Sequence, residues 1–126
     1  MGKKILIVDD NEQILEMYKT KFEREGFEVA VELNGLSGFN SAKKIKPDVI
    51  VLDIMMPILD GLESLSLIRS QKNICPIVII LSNLTKGKYI KKGLEIGADD
   101  YLSKIDHTPS DVLKKAMELL RKNKNK

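Results

Sequence analysis

Val49-Ile50-Val51-Leu52-Asp53-Ile54-Met55-Met56-Pro57 is the stretch that decides the fold. Four apolar residues run straight into one carboxylate, and a proline follows. A short, uninterrupted apolar run reads as a strand buried on both faces, the kind found in parallel sheets. Such a strand has no wet face on which to carry Asp53. The carboxylate therefore belongs at the strand's C-terminal end, where the backbone leaves the sheet. In open α/β sheets that rim is where ligands bind.

Toward the N-terminus, Lys4-Ile5-Leu6-Ile7-Val8 repeats the pattern and ends in Asp9-Asp10. Asn11 is placed to cap a helix carrying Ile14, Leu15, Tyr18 and Phe22, with Gly26 at its end. Glu28-Val29-Ala30-Val31-Glu32 alternates polar and apolar, which suits an edge strand. Asn34-Gly35 is expected to turn the chain before a weaker helix carrying Leu36, Phe39, Ala42 and Ile45.

Beyond Asp53, Asp60 and Glu63 have capping-box spacing ahead of Leu65 and Ile68. Pro76-Ile77-Val78-Ile79-Ile80-Leu81 is the third buried strand and ends in Ser82-Asn83. Thr85 is expected to cap a helix with Ile90 and Leu94. Gly87 and Gly93 each cost that helix about 1 kcal/mol relative to Ala, so it should be the loosest of five. Asp100-Tyr101-Leu102-Ser103-Lys104 is a short last strand. Thr108-Pro109 with Asp111 opens a final amphipathic helix.

Strand and helix alternate five times, which predicts an α/β fold: a five-stranded parallel sheet with helices on both faces. With the alternating strand at an edge, the order is 2-1-3-4-5, doubly wound and flavodoxin-like. Residues 1–121 read as one domain and 122–126 as a basic, frayed tail.

Parallel strands deliver their C-terminal ends to one edge. That edge collects Asp9 and Asp10, Asp53, Ser82 and Lys104. Packed carboxylates repel, and a cation relieves them. Oxygen-only donors select a hard ion, and Mg2+ suits two or three carboxylates with retained waters. No His or Cys stands there for zinc. With a cation bound, an aspartate can attack a phosphoryl group. A lysine ammonium and a hydroxyl donor would neutralise the spreading charge, and Lys104 and Ser82 are those groups.

Composition narrows the classes. The chain has 126 residues, is 43% hydrophobic and 31% charged, and carries a net charge of +3. No apolar run approaches the ~20 residues that span a bilayer, and the N-terminus is no secretory signal. The single cysteine, Cys75, cannot form an internal disulfide, and its neighbours Ile74 and Pro76 suggest packing. A cytoplasmic setting is the default. The basic tail lacks the aromatic residues that would support nucleic-acid stacking. Lys86, Lys88, Lys91 and Lys92 read as a solvated face, with a contact to an acidic partner as the alternative.

The chain resembles the receiver domain of a two-component response regulator. The resemblance is carried by Asp9-Asp10, Asp53 with Met56-Pro57 and Asp60-Gly61, Ser82, Gly97-Ala98-Asp99-Asp100-Tyr101 and Lys104, and it covers roughly residues 3–121. It implies that Asp53 accepts phosphate from a phosphohistidine of a histidine kinase or phosphotransfer protein. It implies Mg2+, replaceable by Mn2+, held directly by Asp10 and Asp53, by Asp9 largely through water, and by the Met55 backbone carbonyl. Lys104, Ser82 and the Asn83 backbone N–H would bind the phosphoryl oxygens. Tyr101 would turn inward as Ser82 moves, relaying the change to the face of the fourth helix, fifth strand and fifth helix. The output would be a separate protein, an attached output domain or a phosphorylation-dependent homodimer, with no direct nucleic-acid or membrane contact.

Two residues depart from the family pattern. Ile105 follows Lys104 where proline is usual, so a trans bond and a re-routed loop are expected. Asn83 stands where a small residue is common. Two other functions compete. An aspartyl phosphohydrolase, dependent on Mg2+, would want an acid two residues after its nucleophile, where Met55 stands. A flavin binder would want a Ser-, Thr- or Gly-rich phosphate loop where Asp9-Asp10 would repel phosphate.

Overall fold

The computed structural model describes residues 2–124. Five parallel strands lie in the order β2-β1-β3-β4-β5. They are β1 (Lys4–Val8), β2 (Glu28–Glu32), β3 (Val49–Leu52), β4 (Ile77–Ser82) and β5 (Asp100–Ser103). The helices are α1 (Glu12–Arg24), α2 (Gly35–Ile45), α3 (Gly61–Ser70), α4 (Gly87–Ile96) and α5 (Pro109–Lys124). The expected order and alternation are both present.

The strand sequences separate two cores by their period of two. Ile5, Ile7, Val49, Val51, Ile77 and Ile79 face one way and bury Leu15, Tyr18 and Phe22 of α1 with Val112 and Ala116 of α5. Leu6, Val8, Ile50, Leu52, Val78 and Ile80 face the other way, onto Phe39 and Ala42 of α2 and Leu65 and Ile68 of α3. Each fully buried Leu or Ile contributes roughly 1.5–3 kcal/mol. β3 is buried along its whole length, whereas β2 lies at the expected edge and is buried only in part, without alternation: Val29 and Val31 pack on one core and Ala30 on the other.

The caps decide where the loops begin. Asn11 accepts from the N–H groups of Gln13 and Ile14. Asp60 and Glu63 form the capping box of α3. Thr108 accepts from Asp111 N–H while the Asp111 carboxylate accepts from Thr108 N–H. Three expectations are corrected. Asn34 is the cap of α2 and Gly35 its first residue, because the Asn34 side chain accepts from Ser37 N–H and starts the helix one residue before Leu36. Thr85 does not cap α4; Lys86 holds that position and makes no side-chain bond. Cys75 is exposed, since its loop lies outside the sheet end that buries Ile74.

The expected boundary at residue 121 falls inside α5, which continues to Lys124. Residues 125 and 126 of the anticipated tail lie outside the described residues.

Candidate acidic phosphoacceptor site

The sheet's C-terminal edge holds a cleft of about 270 Å³. It is lined by Asp9, Asp10, Asn11, Ile14, Asp53, Met55, Ser82, Asn83, Leu84 and Lys104. Every rim residue singled out in the sequence except Tyr101 therefore meets here.

Asp53 sits one residue past β3 with its backbone N–H still bonded to Val8 C=O at 3.0 Å. Its Oδ1 accepts from Ile54 N–H at 2.8 Å, leaving Oδ2 toward Lys104 Nζ at 3.2 Å. The first turn of α3 presses against the same backbone. A Cβ on Gly61 would stand 1.9 Å from the Asp53 carbonyl oxygen, so only glycine lets the helix start this close.

Asp9 is buried and held twice. Its Oδ1 accepts from Asn11 N–H at 2.9 Å, and its Oδ2 lies 2.7 Å from Lys104 Nζ. Asp10 is exposed at the cleft mouth. Carboxylate oxygens of Asp9, Asp10 and Asp53 all lie within 4.8 Å of one another. Three hard oxygen donors at that spacing fit a small divalent cation and offer nothing to a soft one.

The electrostatics follow from burial. Loss of hydration, then the Asp9 charge, push the Asp53 carboxyl above its ordinary range, and Lys104 only partly pulls it back. Burial alone lowers the Lys104 ammonium. Its hydrogen bond to Asp9, the charges of Asp53 and Asp9 and its bond to Asp53 outweigh that and hold it above its usual value. Lys104 therefore stays charged while Asp53 is held close to a proton or a cation. In this structure Lys104 pairs with the two buried carboxylates, because an unpaired buried charge is costly.

Ile105 does not misdirect Lys104. The Lys104 N–H stays on Ser82 C=O at 3.0 Å. The loop beyond is gathered by Ser103, whose hydroxyl accepts from Ile105 N–H at 3.2 Å and whose carbonyl lies 2.9 Å from His107 Nδ1. No cis peptide bond occurs among the described residues. His107 is half-buried in that contact. Met55, whose backbone carbonyl the resemblance implicates, leaves its side chain 64% exposed at the cleft.

Tyr101 lies behind the cleft, its ring packed on the α2/α3-side core. Its hydroxyl donates to the Leu84 carbonyl, while Leu84 N–H donates to Ser82 Oγ at 3.0 Å. Burial pushes the Tyr101 phenol up, and the nearby Ser82 hydroxyl partly offsets this. Ser82 and Tyr101 thus hold the two ends of one residue. Sequence reasoning missed this link through Leu84, because both bonds use its backbone and no side-chain signal marks them.

A buried aspartate thus faces one ammonium and two further carboxylates at the sheet's C-terminal edge. Residues 5–118 match the family model described as the response regulator receiver domain, and the chain belongs to that family. It is 39% identical over 125 residues to the alkaline phosphatase synthesis transcriptional regulatory protein PhoP of Bacillus subtilis (98% of this chain, 50% of that protein). It is 32% identical over 123 residues to the DNA-binding response regulator MtrA of Mycolicibacterium paratuberculosis (98% and 53%). The chain thus spans about half the length of these curated relatives.

Among solved structures, the Francisella response regulator 1452 receiver domain superposes with a TM-score of 0.88 at 35% identity (97% of this chain, 99% of that one). The BeF3-activated DrrB receiver domain gives 0.85 at 32% (96% and 99%). The chain is a phosphorylation-activated signalling module of two-component systems. Receiver domains bind Mg2+ at an acidic pocket and interact with histidine kinases. No helix among the described residues is long and apolar enough to cross a membrane.

Proposed function

We propose that Asp53 is the phosphoacceptor. The observation that carries this reading is the convergence on Asp53 of the Lys104 ammonium at 3.2 Å and the Asp9 and Asp10 carboxylates within 4.8 Å. An Asp53 carboxylate oxygen attacks the phosphorus of a phosphohistidine. The P–O bond forms as the P–N bond breaks, and the imidazole nitrogen leaves with its electron pair and takes up a proton. Lys104 holds the phosphoryl charge on one side, and the Ser82 hydroxyl and Asn83 N–H donate on the other. Mg2+, or Mn2+ in its place, held by Asp10, Asp53, the Met55 carbonyl and Asp9 through water, would supply the remaining charge neutralisation.

The donor is a histidine kinase or phosphotransfer protein in the cytoplasm. The receiver unit is the five-stranded fold through the end of α5, and it acts on a separate partner, an attached output domain or a second copy. The phosphoryl group draws Ser82 toward itself, and through Leu84 the pull reaches Tyr101 and the face of α4, β5 and α5. Met55 and Leu84 cover the cleft with apolar surface, so self-hydrolysis is slow, with a phosphoryl half-life of minutes or longer.

The test is intact mass after incubation with acetyl phosphate and Mg2+. One phosphoryl group in the parent chain, none in Asp53→Asn and none after chelation is the expected result. Several groups, or uptake that survives Asp53→Asn, would overturn it. A half-life of seconds after donor removal would overturn the hydrolysis claim alone.

A further inference from the structure

Arg69, near the end of α3, makes contacts that phosphate acceptance does not call upon. Its Nε–H donates to Gly97 C=O at 2.9 Å. Nη1 donates to Pro76 C=O at 2.7 Å, and Nη2 to Asp99 Oδ2 at 3.1 Å. Asp99 Oδ2 also accepts from Val78 N–H at 2.8 Å, and Asp99 N–H donates back to Val78 C=O at 2.8 Å. One guanidinium therefore ties the end of α3, the approach to β4 and the α4–β5 junction into one block. A planar fork with five donors can do this; an ammonium cannot.

The junction is shaped to receive it. Gly97 closes α4 at φ 130. A Cβ there would stand only 3.0 Å from Arg69 Nε and 3.1 Å from Arg69 Cγ. The position thus needs glycine for its backbone and for its neighbour.

The other end of α4 is the opposite case. Lys86 offers no side-chain cap, and the first turn has no acid. Lys86 and Lys88 stand at the positive end of the helix dipole, where cations are unfavourable. Gly93 is the only buried residue of the helix. That loose end adjoins Leu84, which Ser82 and Tyr101 hold between them.

We infer that Arg69 is a positioning residue: it pins the α4–β5 junction, so that α4 swings from its N-terminal end about Gly97 when the acceptor site changes. The inference rests on the proposed relay through Leu84. A swing in this sense moves Tyr89 and Ile90 and leaves β5 in register, so Lys104 keeps its aim while the α4 surface changes.

The test is residue-resolved amide hydrogen exchange on the whole chain, with and without beryllofluoride and Mg2+ as the phosphoryl mimic. In the parent chain, exchange at Tyr89 and Ile90 should change about fivefold or more, and at Gly97, Ala98 and Asp99 less than about twofold. In Arg69→Gln the change should spread to Gly97–Asp99, with exchange there about tenfold faster. Arg69→Lys should not restore the parent pattern, because it keeps the charge and loses the fork. Asp99→Asn should fall between, and with Arg69→Lys it carries the test should Arg69→Gln fail to fold.

Equal change at both ends of α4 in the parent chain would overturn the pivot alone. A parent-like pattern in Arg69→Gln would overturn the role of Arg69. No change along α4, in a chain that still takes up one phosphoryl group at Asp53, would overturn the relay and the pivot together.

Discussion

Helices α3 and α4 are neighbours on one face of the sheet and have the same length, ten residues each. They are held in opposite ways. α3 begins with a reciprocal capping box and buries Gly61, Ser64, Leu65 and Ile68. α4 begins uncapped with its charges set against the dipole and buries Gly93 alone. Packing of an apolar face supplies most of a helix's stability in a protein. By that measure α3 is the firmly held helix beside Asp53 and α4 the loosely held one.

The two helices should differ most at two glycines. In Gly61→Ala the new methyl would meet the Asp53 carbonyl, so chemical denaturation should show a loss of about 3 kcal/mol or more. Gly87→Ala meets nothing within 4 Å and should instead gain roughly 0.5–1 kcal/mol. A loss at Gly87 comparable to that at Gly61 would show α4 to be as tightly built as α3.

The caps give a smaller contrast. Asp60→Ala removes the N–H acceptor of α3 and should cost about 1 kcal/mol. Lys86→Asp supplies a cap and an anion to an end that has neither and should gain roughly 0.5–1 kcal/mol, read as a higher urea midpoint. If α4 is mobile for the relay, the same variant should blunt the exchange response of Tyr89 to beryllofluoride.

The smallest effect concerns the rim between the two helices. Asp53 has a folded-state pKa above its unfolded value, so the native state binds its proton more tightly. Stability therefore falls as pH rises from the ordinary carboxylate range through that raised value. Asp53→Asn has no such loss. It should be more stable than the parent chain at neutral pH, with the difference shrinking as pH falls through the raised value and levelling off below the ordinary carboxylate range. The gain is modest because Lys104 gives up one of its two partners. A difference that grows on acidification would contradict the burial argument.

The fold was legible because the three central strands are apolar without interruption and the edge strand is not. The site was legible because a parallel sheet must bring its strand ends together, whatever the loops do. What stayed hidden depends on contacts without a local pattern. Arg69 finds Gly97 and Asp99 across 28 and 30 residues, and a lone arginine late in a helix looks like solvent. Leu84 works through its backbone. Asn34-Gly35 carries the same residues as a turn and as a helix start, and only the Ser37 N–H, 2.8 Å from Asn34 Oδ1, decides between them. The pairing of Lys104 with Asp9 follows from how deeply Asp9 is buried, which its exposed neighbour Asp10 does not reveal.

Borohydride reads the state of the Asp53 carboxylate directly. An aspartyl phosphate is reduced to homoserine, and an unmodified aspartate is not. After loading with acetyl phosphate and Mg2+ and trapping with borohydride, peptide sequencing should find homoserine at position 53 alone. Homoserine at position 9 or 10, or at none of the three, would contradict the assignment of Asp53 as the acceptor.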